Sequence, residues 1–298
     1  MESPLVSIVV PAFNEARRLQ RTIPQLRTYL ATWPSIEIVI VDDGSSDSTA
    51  DVASRELAGV DHTVVRLPWN SGKGAALRAG VAAARGRAIV FMDADLAAGL
   101  ENLPNLLKGL RTADISVGSR HLAESQTHYD NNVRVVCSRW FGHYVRAVTR
   151  IEVSDTQCGF KAFRSGAAKI LFHLAETSGF AMDVELLALA RLLGFSVTEV
   201  PISWVDKPGS KVRLFHDPAK MAFDVLRLHG RLMRRRRYLE AKGPAELGWM
   251  IRVGNAVVEP VRQVGEPVAV TQVGALGLGP ISLPSVSHLA AGVGRSSR

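Results

Sequence analysis

Two pairs of aspartates follow apolar runs of the sequence, at places where a buried strand would end. Asp93 and Asp95 come directly after AIVFM, and Asp42 and Asp43 come directly after IEIVIV. Carboxylates avoid the protein interior unless a partner compensates their charge. Their oxygens suit Mg2+ or Mn2+, which can neutralise a diphosphate. An Asp-x-Asp tripeptide alone favours a solvated pair that caps the next helix, so its meaning depends on its neighbours.

Two further polar clusters follow apolar runs. PAFNE (11–15) follows the first run, and NSGKG (70–74) follows the third, with glycines on both sides of Lys73. A helix that starts at NSGKG suits a diphosphate, because its backbone N–H groups, its dipole and the Lys73 ammonium can bind phosphate oxygens. The pattern is not a Walker A loop. No G-x-G-x-x-G follows the first run, so a dinucleotide-binding fold is unsupported.

The segment DDGSSDST (42–49) combines two roles. Asp47 and Thr49 are placed to cap the helix that follows. Helix capping does not account for Asp42 and Asp43. A carboxylate at either position can accept a hydrogen bond from a base imide or a ribose hydroxyl.

Strand and helix patterns alternate in the first third of the chain. The strand candidates lie at residues 5–10, 36–41, 62–67 and 88–92, and the helix candidates lie near residues 15–32, 47–58 and 73–85. The alternation predicts an α/β fold with a mainly parallel central sheet flanked by helices. Ligands of such sheets bind beyond the carboxyl ends of the strands, where all four polar clusters fall. The sequence therefore predicts one site at one edge of the sheet.

The composition limits the classes of partner. The chain has 298 residues, 47% of them hydrophobic, and a formal net charge of +8, which favours a phosphorylated substrate, an anionic lipid surface or a nucleic acid. Nucleic acid is not expected, because the basic residues near the site alternate with carboxylates and aromatic residues make up only 6%. Two cysteines form no disulfide framework, which favours a reducing compartment. Neither a signal peptide nor a transmembrane helix is predicted.

The rest of the chain completes one domain, which we expect over residues 1–215. Its nucleotide-binding half covers about residues 1–112, and its acceptor half covers about residues 113–215, with helices around 132–149 and 181–193.

A basic amphipathic helix is predicted over residues 216–242, followed by a flexible tail over residues 243–298. Asp217 and Pro218 are typical of a helix start. The apolar stripe of this helix consists of Met221, Val225, Leu228 and Leu232. Arginines lie largely on its other faces, and arginines near anionic lipid add about 1 kcal/mol each. Residues 218–239 are therefore predicted to contact an anionic membrane surface peripherally.

The four clusters, in this order and spacing, resemble the signatures of the inverting family 2 glycosyltransferases, which have the GT-A (Rossmann-like) fold. Downstream, VGSR, DTQCGFKAF, FAMDVELL and ISWVDKPGSKV resemble the branch that transfers a sugar to a polyprenyl phosphate, and most of all the dolichyl-phosphate β-glucosyltransferases. The resemblance covers about residues 5–230. It implies transfer of a hexose, glucose from UDP-glucose, to a polyprenyl or dolichyl phosphate with inversion, at the cytoplasmic face of a membrane.

The resemblance also implies roles for individual residues. The nucleotide-sugar would contact Pro11, Phe13, Glu15, Asp42, Asp43 and Asp93, together with Lys73. The metal, Mg2+ or Mn2+, would be held by Asp95 and Asp93, which with Arg120 form the catalytic set. The acceptor phosphate would be held by Arg120, Arg134, Ser138, Lys211 and Arg213.

A phosphate acceptor removes the need for a catalytic base. Transfer to a hydroxyl requires a base, whereas a phosphate monoester with a second pKa of about 6 is already largely a dianion. Asp183 and Glu185 occupy the position where relatives with a hydroxyl acceptor place a base. We expect them to orient the sugar or the basic residues, or simply to stabilise a helix N-terminus.

The sequence motifs leave the identity of the nucleotide-sugar donor open. Mannose-transferring relatives carry a glutamine two places after the second aspartate, where this chain has Ala97. Ala97 supplies no side-chain metal ligand and argues against mannose. The alternatives are the same reaction with GDP-mannose or a UDP-N-acetylhexosamine, and, in another class, a non-catalytic module that binds an anionic ligand. Cys158 is expected to be buried and inert.

Overall fold

The computed structural model describes residues 4–33, 35–129, 132–179, 181–207 and 217–242. Its strands are β1 (Val6–Ala12), β2 (Ile36–Asp42), β3 (His62–Arg66), β4 (Ala88–Phe91), β5 (Ile115–Ser119), β6 (Gln126–His128), β7 (Lys161–Arg164), β8 (Val197–Pro201) and β9 (Ser203–Val205). Its helices are α1 (Ala16–Leu30), α2 (Thr49–Glu56), α3 (Lys73–Ala83), α4 (Leu103–Gly109), α5 (Asn132–Thr149), α6 (Ser165–Leu174), α7 (Met182–Leu193) and α8 (Asp217–Lys242), with a 3-10 turn at Leu100–Asn102. The predicted strands and helices of the first third are confirmed as β1 to β4 and α1 to α3.

A seven-stranded sheet in the order β3-β2-β1-β4-β7-β5-β8 forms the centre of the molecule. β1, β2, β3 and β4 pair in parallel, as the alternating pattern predicts. β7 lies between β4 and β5 and is antiparallel to both, so it joins the two predicted halves into one sheet. The α/β architecture with a mainly parallel sheet is confirmed.

Both faces of the sheet are covered by helices. Along the central strands, Val9 and Phe91 face one apolar cluster, whereas Ile8 and Val90 face the other. All four side chains are completely buried. α1, α2 and α4 supply one layer, and α3, α5, α6, α7 and α8 supply the other. Burial on both faces explains why these strands are continuously apolar instead of alternating.

The predicted basic helix is confirmed as α8. Val225 and Leu228, from its apolar stripe, are completely buried in the core cluster that includes α5 and α7 residues. The apolar stripe therefore packs against the protein. The predicted tail at 243–298 lies outside the described residues. In the described part of the chain, no helix combines the length and apolarity that crossing a bilayer requires.

Candidate active site

The carboxyl ends of β1 and β2 bring the first two polar clusters into contact. The Asn14 N–H donates to Ser45 Oγ at 2.8 Å, and the Ser46 N–H donates to Asn14 Oδ1 at 2.9 Å. The Glu15 N–H donates to Thr49 Oγ1 at 2.8 Å. PAFNE and DDGSSDST therefore form one hydrogen-bonded edge, as the strand-end argument predicts.

Asp47 joins the starts of two helices at this edge. Its carboxylate accepts the Thr49 N–H at 3.0 Å in the first turn of α2 and the Ala16 N–H at 3.2 Å in the first turn of α1. Ser48, not Asp47, is the N-cap residue of α2, but the Asp47 carboxylate binds the first turns of both α2 and α1. The hydroxyl of Thr49 instead binds the PAFNE loop. The carboxylate of Glu15, expected at the nucleotide, is bound by both oxygens to Arg18 Nη1, at 2.7 and 2.8 Å.

Asp43 holds the third polar cluster. Its Oδ1 accepts the Ser71 N–H at 2.8 Å and its Oδ2 accepts the Gly72 N–H at 2.9 Å. The Gly74 N–H donates to the Ser178 carbonyl at 2.7 Å. These three N–H groups of NSGKG thus have partners inside the protein, so the expectation that they bind a diphosphate does not hold for them. The Lys73 ammonium remains suited to phosphate.

Asp42, beside Asp43, is buried and faces a small cavity. Its Oδ1 accepts the Ser45 N–H at 3.0 Å. The cavity of about 190 Å3 is also lined by Gly44 and Leu67. Gly44 has φ +69°, and a Cβ there would lie 2.3 Å from the Trp69 carbonyl carbon, so only glycine fits. Contact of Asp42 or Asp43 with a base or ribose stays a prediction.

Lys73 and the two aspartates of DAD form the charged centre of the edge. Lys73 Nζ lies 2.7 Å from Asp93 Oδ1. Burial alone lowers the pKa of Lys73, but the charges of Asp93 and Asp183 outweigh burial and raise it above its ordinary value. Burial and the Asp93 charge raise the pKa of Asp95 above its ordinary value. Asp95 is thus a carboxylate that an added cation would stabilise.

Ala97 acts through its backbone. Its N–H donates to Asp95 Oδ1 at 3.0 Å, and its carbonyl accepts the Val205 N–H at 2.9 Å. β9 is thereby joined directly to the DAD loop. The buried Asn102 side chain adds two hydrogen bonds to the Ser203 backbone, at 2.9 and 3.0 Å. Ala97 has no side chain that could bind a metal, and its N–H and carbonyl groups have a structural role.

Arg120 lies on the acceptor side, paired with Asp155. Its Nε and Nη2 donate to the two carboxylate oxygens at 2.6 and 2.8 Å. Burial alone would raise the pKa of Asp155, but the Arg120 charge and hydrogen bonds lower it to about 2. The guanidinium also stacks on Trp204, with Cζ 5.4 Å from the ring centroid. Arg120 is therefore oriented before any phosphate arrives.

Asp183 and Glu185 both contact basic side chains. Asp183 Oδ1 accepts a hydrogen bond from Lys161 Nζ at 2.5 Å, and both side chains are buried. Lys161 Nζ also donates to the Cys158 carbonyl at 2.6 Å. Glu185 Oε1 lies 3.6 Å from Arg231 Nη2 on α8. Contact of either carboxylate with a sugar stays a prediction.

Comparison with known proteins identifies the family. The model of glycosyl transferase family 2 matches residues 7–172. The chain belongs to this family. It is an enzyme of the glycosyltransferase class, and the GT-A resemblance of its four strand-end motifs is confirmed.

Curated relatives cover most of this glycosyltransferase. Glycosyltransferase AglD of Haloferax volcanii is 34% identical over 74% of the chain, but the match spans only 36% of AglD, about a third of that protein. Dolichyl-phosphate beta-glucosyltransferase of Homo sapiens is 33% identical over 74% of each protein. Dolichyl-phosphate beta-glucosyltransferase ALG5D of Trichomonas vaginalis is 35% identical over 75% of the chain and 72% of the relative.

A solved structure has the same fold. Glucosyl-3-phosphoglycerate synthase of Mycobacterium tuberculosis, crystallised with Mn2+, UDP and glucosyl-3-phosphoglycerate, superposes with a TM-score of 0.55. The superposition covers 76% of this glycosyltransferase and 78% of the synthase, at 21% sequence identity. At that identity the likeness establishes the fold.

The structure describes the remaining predicted site residues of this glycosyltransferase only in part. Pro11 lies in β1 and Phe13 directly after it, at the same edge of the sheet. Arg134 and Ser138 lie on α5, in its first turns, and their side chains are outside the described part of the structure, as are Lys211 and Arg213 altogether. Cys158 is buried, and burial raises the pKa of its thiol to about 12, which agrees with an inert thiol.

The segment SDTQCGFKAF contributes more to the site of this glycosyltransferase than its motif indicated. Asp155 orients Arg120, Lys161 binds Asp183, and a Cβ on Gly159 would lie 2.0 Å from Asp93 Oδ2. The signal available in the sequence is similar to the one that identified DAD, because charged residues lie beside a short apolar run, here together with a glycine. The buried Asn102 has no comparable signal.

Proposed function

We propose that this glycosyltransferase moves glucose from UDP-glucose to the phosphate of a polyprenyl or dolichyl phosphate, with inversion to a β-linked product. The similarity to dolichyl-phosphate beta-glucosyltransferases from several eukaryotes supports the donor sugar and the lipid acceptor. The carboxyl edge, with Lys73, Asp93 and Asp95 together, supports a nucleotide-sugar donor.

The observation that supports a phosphate acceptor is the buried pair of Lys161 and Asp183. Asp183 stands where a base for a hydroxyl acceptor would be expected, yet its Oδ1 already binds an ammonium at 2.5 Å and its side chain is 3% exposed. Such a carboxylate is poorly placed to deprotonate a sugar or glycerol hydroxyl. A phosphate dianion needs no base, so transfer rests on alignment and on charge neutralisation.

The residues present fit a divalent cation of the Mg2+ or Mn2+ type. Within the described residues no group of three or more His, Cys, Asp or Glu side chains could hold a metal, which argues against an all-protein site. One or two carboxylates together with substrate phosphates are the usual set for Mg2+. Asp95, with Asp93, would hold the cation, which when bound supplies positive charge to the departing diphosphate.

On the acceptor side, Arg120 would bind the lipid phosphate. Asp155 holds Nε and Nη2 of its guanidinium, and Nη1 would donate to a phosphate oxygen. The other proposed phosphate ligands are Arg134, Ser138, Lys211 and Arg213.

We also propose that the outward face of α8 lies on an anionic membrane surface. Phe223, Leu226 and Met233 are exposed on this face, and Arg227 stacks on Phe223 with Cζ 5.6 Å from the ring centroid. Apolar side chains beside arginines are typical of helices that lie in a bilayer interface. This arrangement supports peripheral placement on a membrane, which we propose is at its cytoplasmic face.

The deciding experiment is a transfer assay on membranes. The protein is incubated with membranes and, in separate reactions, radiolabelled UDP-glucose, GDP-mannose and UDP-N-acetylglucosamine, with Mn2+ present. We expect label in the lipid fraction from UDP-glucose, and none when Asp95→Asn replaces the unaltered protein. Label from GDP-mannose or from the hexosamine donor would select one of the alternatives. No label from any donor, with no thermal shift by UDP or GDP, would favour a non-catalytic binding module.

Vesicle flotation tests the membrane surface. The protein should float with vesicles that contain anionic lipid, and less so at high salt. The double change Phe223→Ser and Leu226→Ser should weaken flotation, whereas Trp69→Ser, an exposed aromatic on the donor side, should not. Equal flotation by both variants would rule out this face of α8.

A further inference from the structure

The loop at residues 175–179, here called the linking loop, packs on the start of α3. The Ser178 carbonyl accepts the Gly74 N–H at 2.7 Å, and a Cβ on Gly72 would lie 2.5 Å from the same carbonyl oxygen. Arg78 of α3 donates to the Thr177 carbonyl at 2.9 Å and to Ser178 Oγ at 3.1 Å. The position of Lys73, which opens α3, therefore depends on where the linking loop lies.

The other side of the linking loop is held by α7. Glu185 Oε2 accepts the N–H groups of Glu176 and Thr177 at 3.1 and 2.7 Å. Glu185 is 3% exposed, so its carboxylate depends on these donors and on Arg231 for compensation of its charge.

Arg231 reaches the same loop from α8. Its Nη2 donates to Thr177 Oγ1 at 2.9 Å, and its Nη1 donates to Glu176 Oε2 at 3.2 Å. Glu185 Oε1 lies 3.6 Å from Nη2. One guanidinium thus binds two residues of the loop and the carboxylate that anchors the loop to α7.

Apolar packing supports this side of the loop only in part. A cavity of about 280 Å3 lies between the loop and α8, lined by Glu176, Glu185, Arg231, Leu232 and Arg234. Because four of these five lining side chains are charged, polar contacts attach the loop there. Arg231 is the side chain of α8 that makes those contacts.

We propose that Arg231 is a positioning residue for the donor diphosphate. It acts through the linking loop, which sets the start of α3 and so the distance between the Lys73 ammonium and Asp93. The role rests on the proposed function, because it requires that Lys73 binds the donor phosphates. The two faces of α8 then have different roles, since the outer face is proposed for the membrane and the inner face holds the donor loop.

Calorimetric titration with UDP and with uridine, both with Mn2+, tests this role. Uridine lacks the diphosphate, so a change in the position of Lys73 should alter the affinity for UDP but not the affinity for uridine. For Arg231→Gln we expect UDP to bind about tenfold more weakly, which corresponds to 1.4 kcal/mol, and uridine to bind as in the unaltered protein. Arg231→Lys keeps the charge but not the forked guanidinium. Its affinity for UDP should lie between the affinities of Arg231→Gln and the unaltered protein.

Arg191→Gln is the matched control. Arg191 lies on α7 and donates to the Thr149 carbonyl at 3.1 Å, so its loss removes the same charge and one helix contact without touching the linking loop. It should leave UDP affinity unchanged. If Arg231→Gln lowers the thermal stability too far, Thr177→Val removes the Nη2 acceptor alone and should weaken UDP binding in the same direction.

The outcomes separate the two proposals. Equal UDP affinity in folded Arg231→Gln and in the unaltered protein would overturn the positioning role and leave the proposed function standing. Equal losses for UDP and uridine would also overturn it, because they indicate general disruption. Absence of UDP binding by the unaltered protein would overturn the proposed function, and the positioning role with it.

Discussion

Asp93 and Asp95 are separated by one residue but have different electrostatic surroundings. Asp93 pairs with Lys73 at 2.7 Å. Asp95 accepts the Ala97 N–H at 3.0 Å and lies near the Asp93 charge, and its burial and that charge raise its pKa. The surroundings of Asp95 therefore compensate its charge only in part, a typical feature of sites that bind a cation.

Asp95→Asn should stabilise the protein without metal and remove its response to metal. Asn keeps an oxygen for the Ala97 N–H but loses the charge that Asp93 repels, so the free energy of unfolding should rise by about 1 kcal/mol. Urea unfolding with and without Mn2+ measures both effects. Asp93→Asn is the comparison, and it should destabilise because Lys73 loses its partner. Equal Mn2+ stabilisation of Asp95→Asn and the unaltered protein would contradict Asp95 as a metal ligand.

Gly159→Ala should abolish most activity while the fold survives. The new Cβ would lie 2.0 Å from Asp93 Oδ2 and 2.7 Å from its Cγ, so the carboxylate must shift from its position beside Lys73. A displacement of this size at a reacting centre lowers turnover by about 100-fold. Gly142→Ala on α5 is the control, since its Cβ would meet only the Ser154 carbonyl oxygen at 3.5 Å. Full activity of Gly159→Ala would show that the position of Asp93 is not critical.

At the scale of elements, Asp43 joins the end of β2 to the start of α3. An asparagine there can accept only one of the two N–H groups of Ser71 and Gly72, and its own amide N–H would oppose the other. Leaving a buried N–H without a partner costs about 1–3 kcal/mol, and these part-buried groups should lose less. The loop that carries Lys73 should then be less well ordered.

Asp43→Asn therefore should weaken UDP binding more than uridine binding. If Asp43 instead contacts the base or ribose, both ligands should lose affinity equally. Titration calorimetry with each ligand separates the two roles, and Glu56→Gln, on α2 and paired with the exposed Arg55, serves as the control.

In the complete fold, β7 joins the strands of residues 1–112 to the strands that follow them in the chain. It lies antiparallel between β4 and β5, and Phe163 on β7 stacks on Phe91 of β4 with ring centroids 5.5 Å apart. Residues 1–112 alone would expose the edge of β4 and one side of Phe91.

We therefore expect one cooperative unfolding transition for the residues of the central sheet. Far-ultraviolet circular dichroism and tryptophan fluorescence should give coincident denaturation curves, and the fragment 1–112 should remain unfolded. Two separate transitions, or a folded 1–112 fragment, would show that the halves are independent domains.

Local patterns predicted the strands and helices of the first third of the chain and the edge where the site lies. The runs at 36–41 and 88–92 are apolar because both faces of the sheet are covered, and burial of that kind is visible in the sequence. The polar clusters follow those runs directly, so their common edge follows from strand order alone. β7 could not be predicted, since a strand of four residues with one buried lysine has no clear period.

The fold class and the family follow from the amino-acid sequence, as does the choice of the aspartates, Lys73 and Arg120 as candidate site residues. The partner of each charge follows from the tertiary fold. Asp43 meets Ser71 across 28 positions of the chain, Arg120 meets Asp155 across 35, and Lys161 meets Asp183 across 22. Periodicity reports whether a side chain is buried, whereas the partner of a buried charge depends on which strands and helices become neighbours. For that reason Asp43, predicted at a nucleotide, holds a loop, and Asp183 binds a buried lysine.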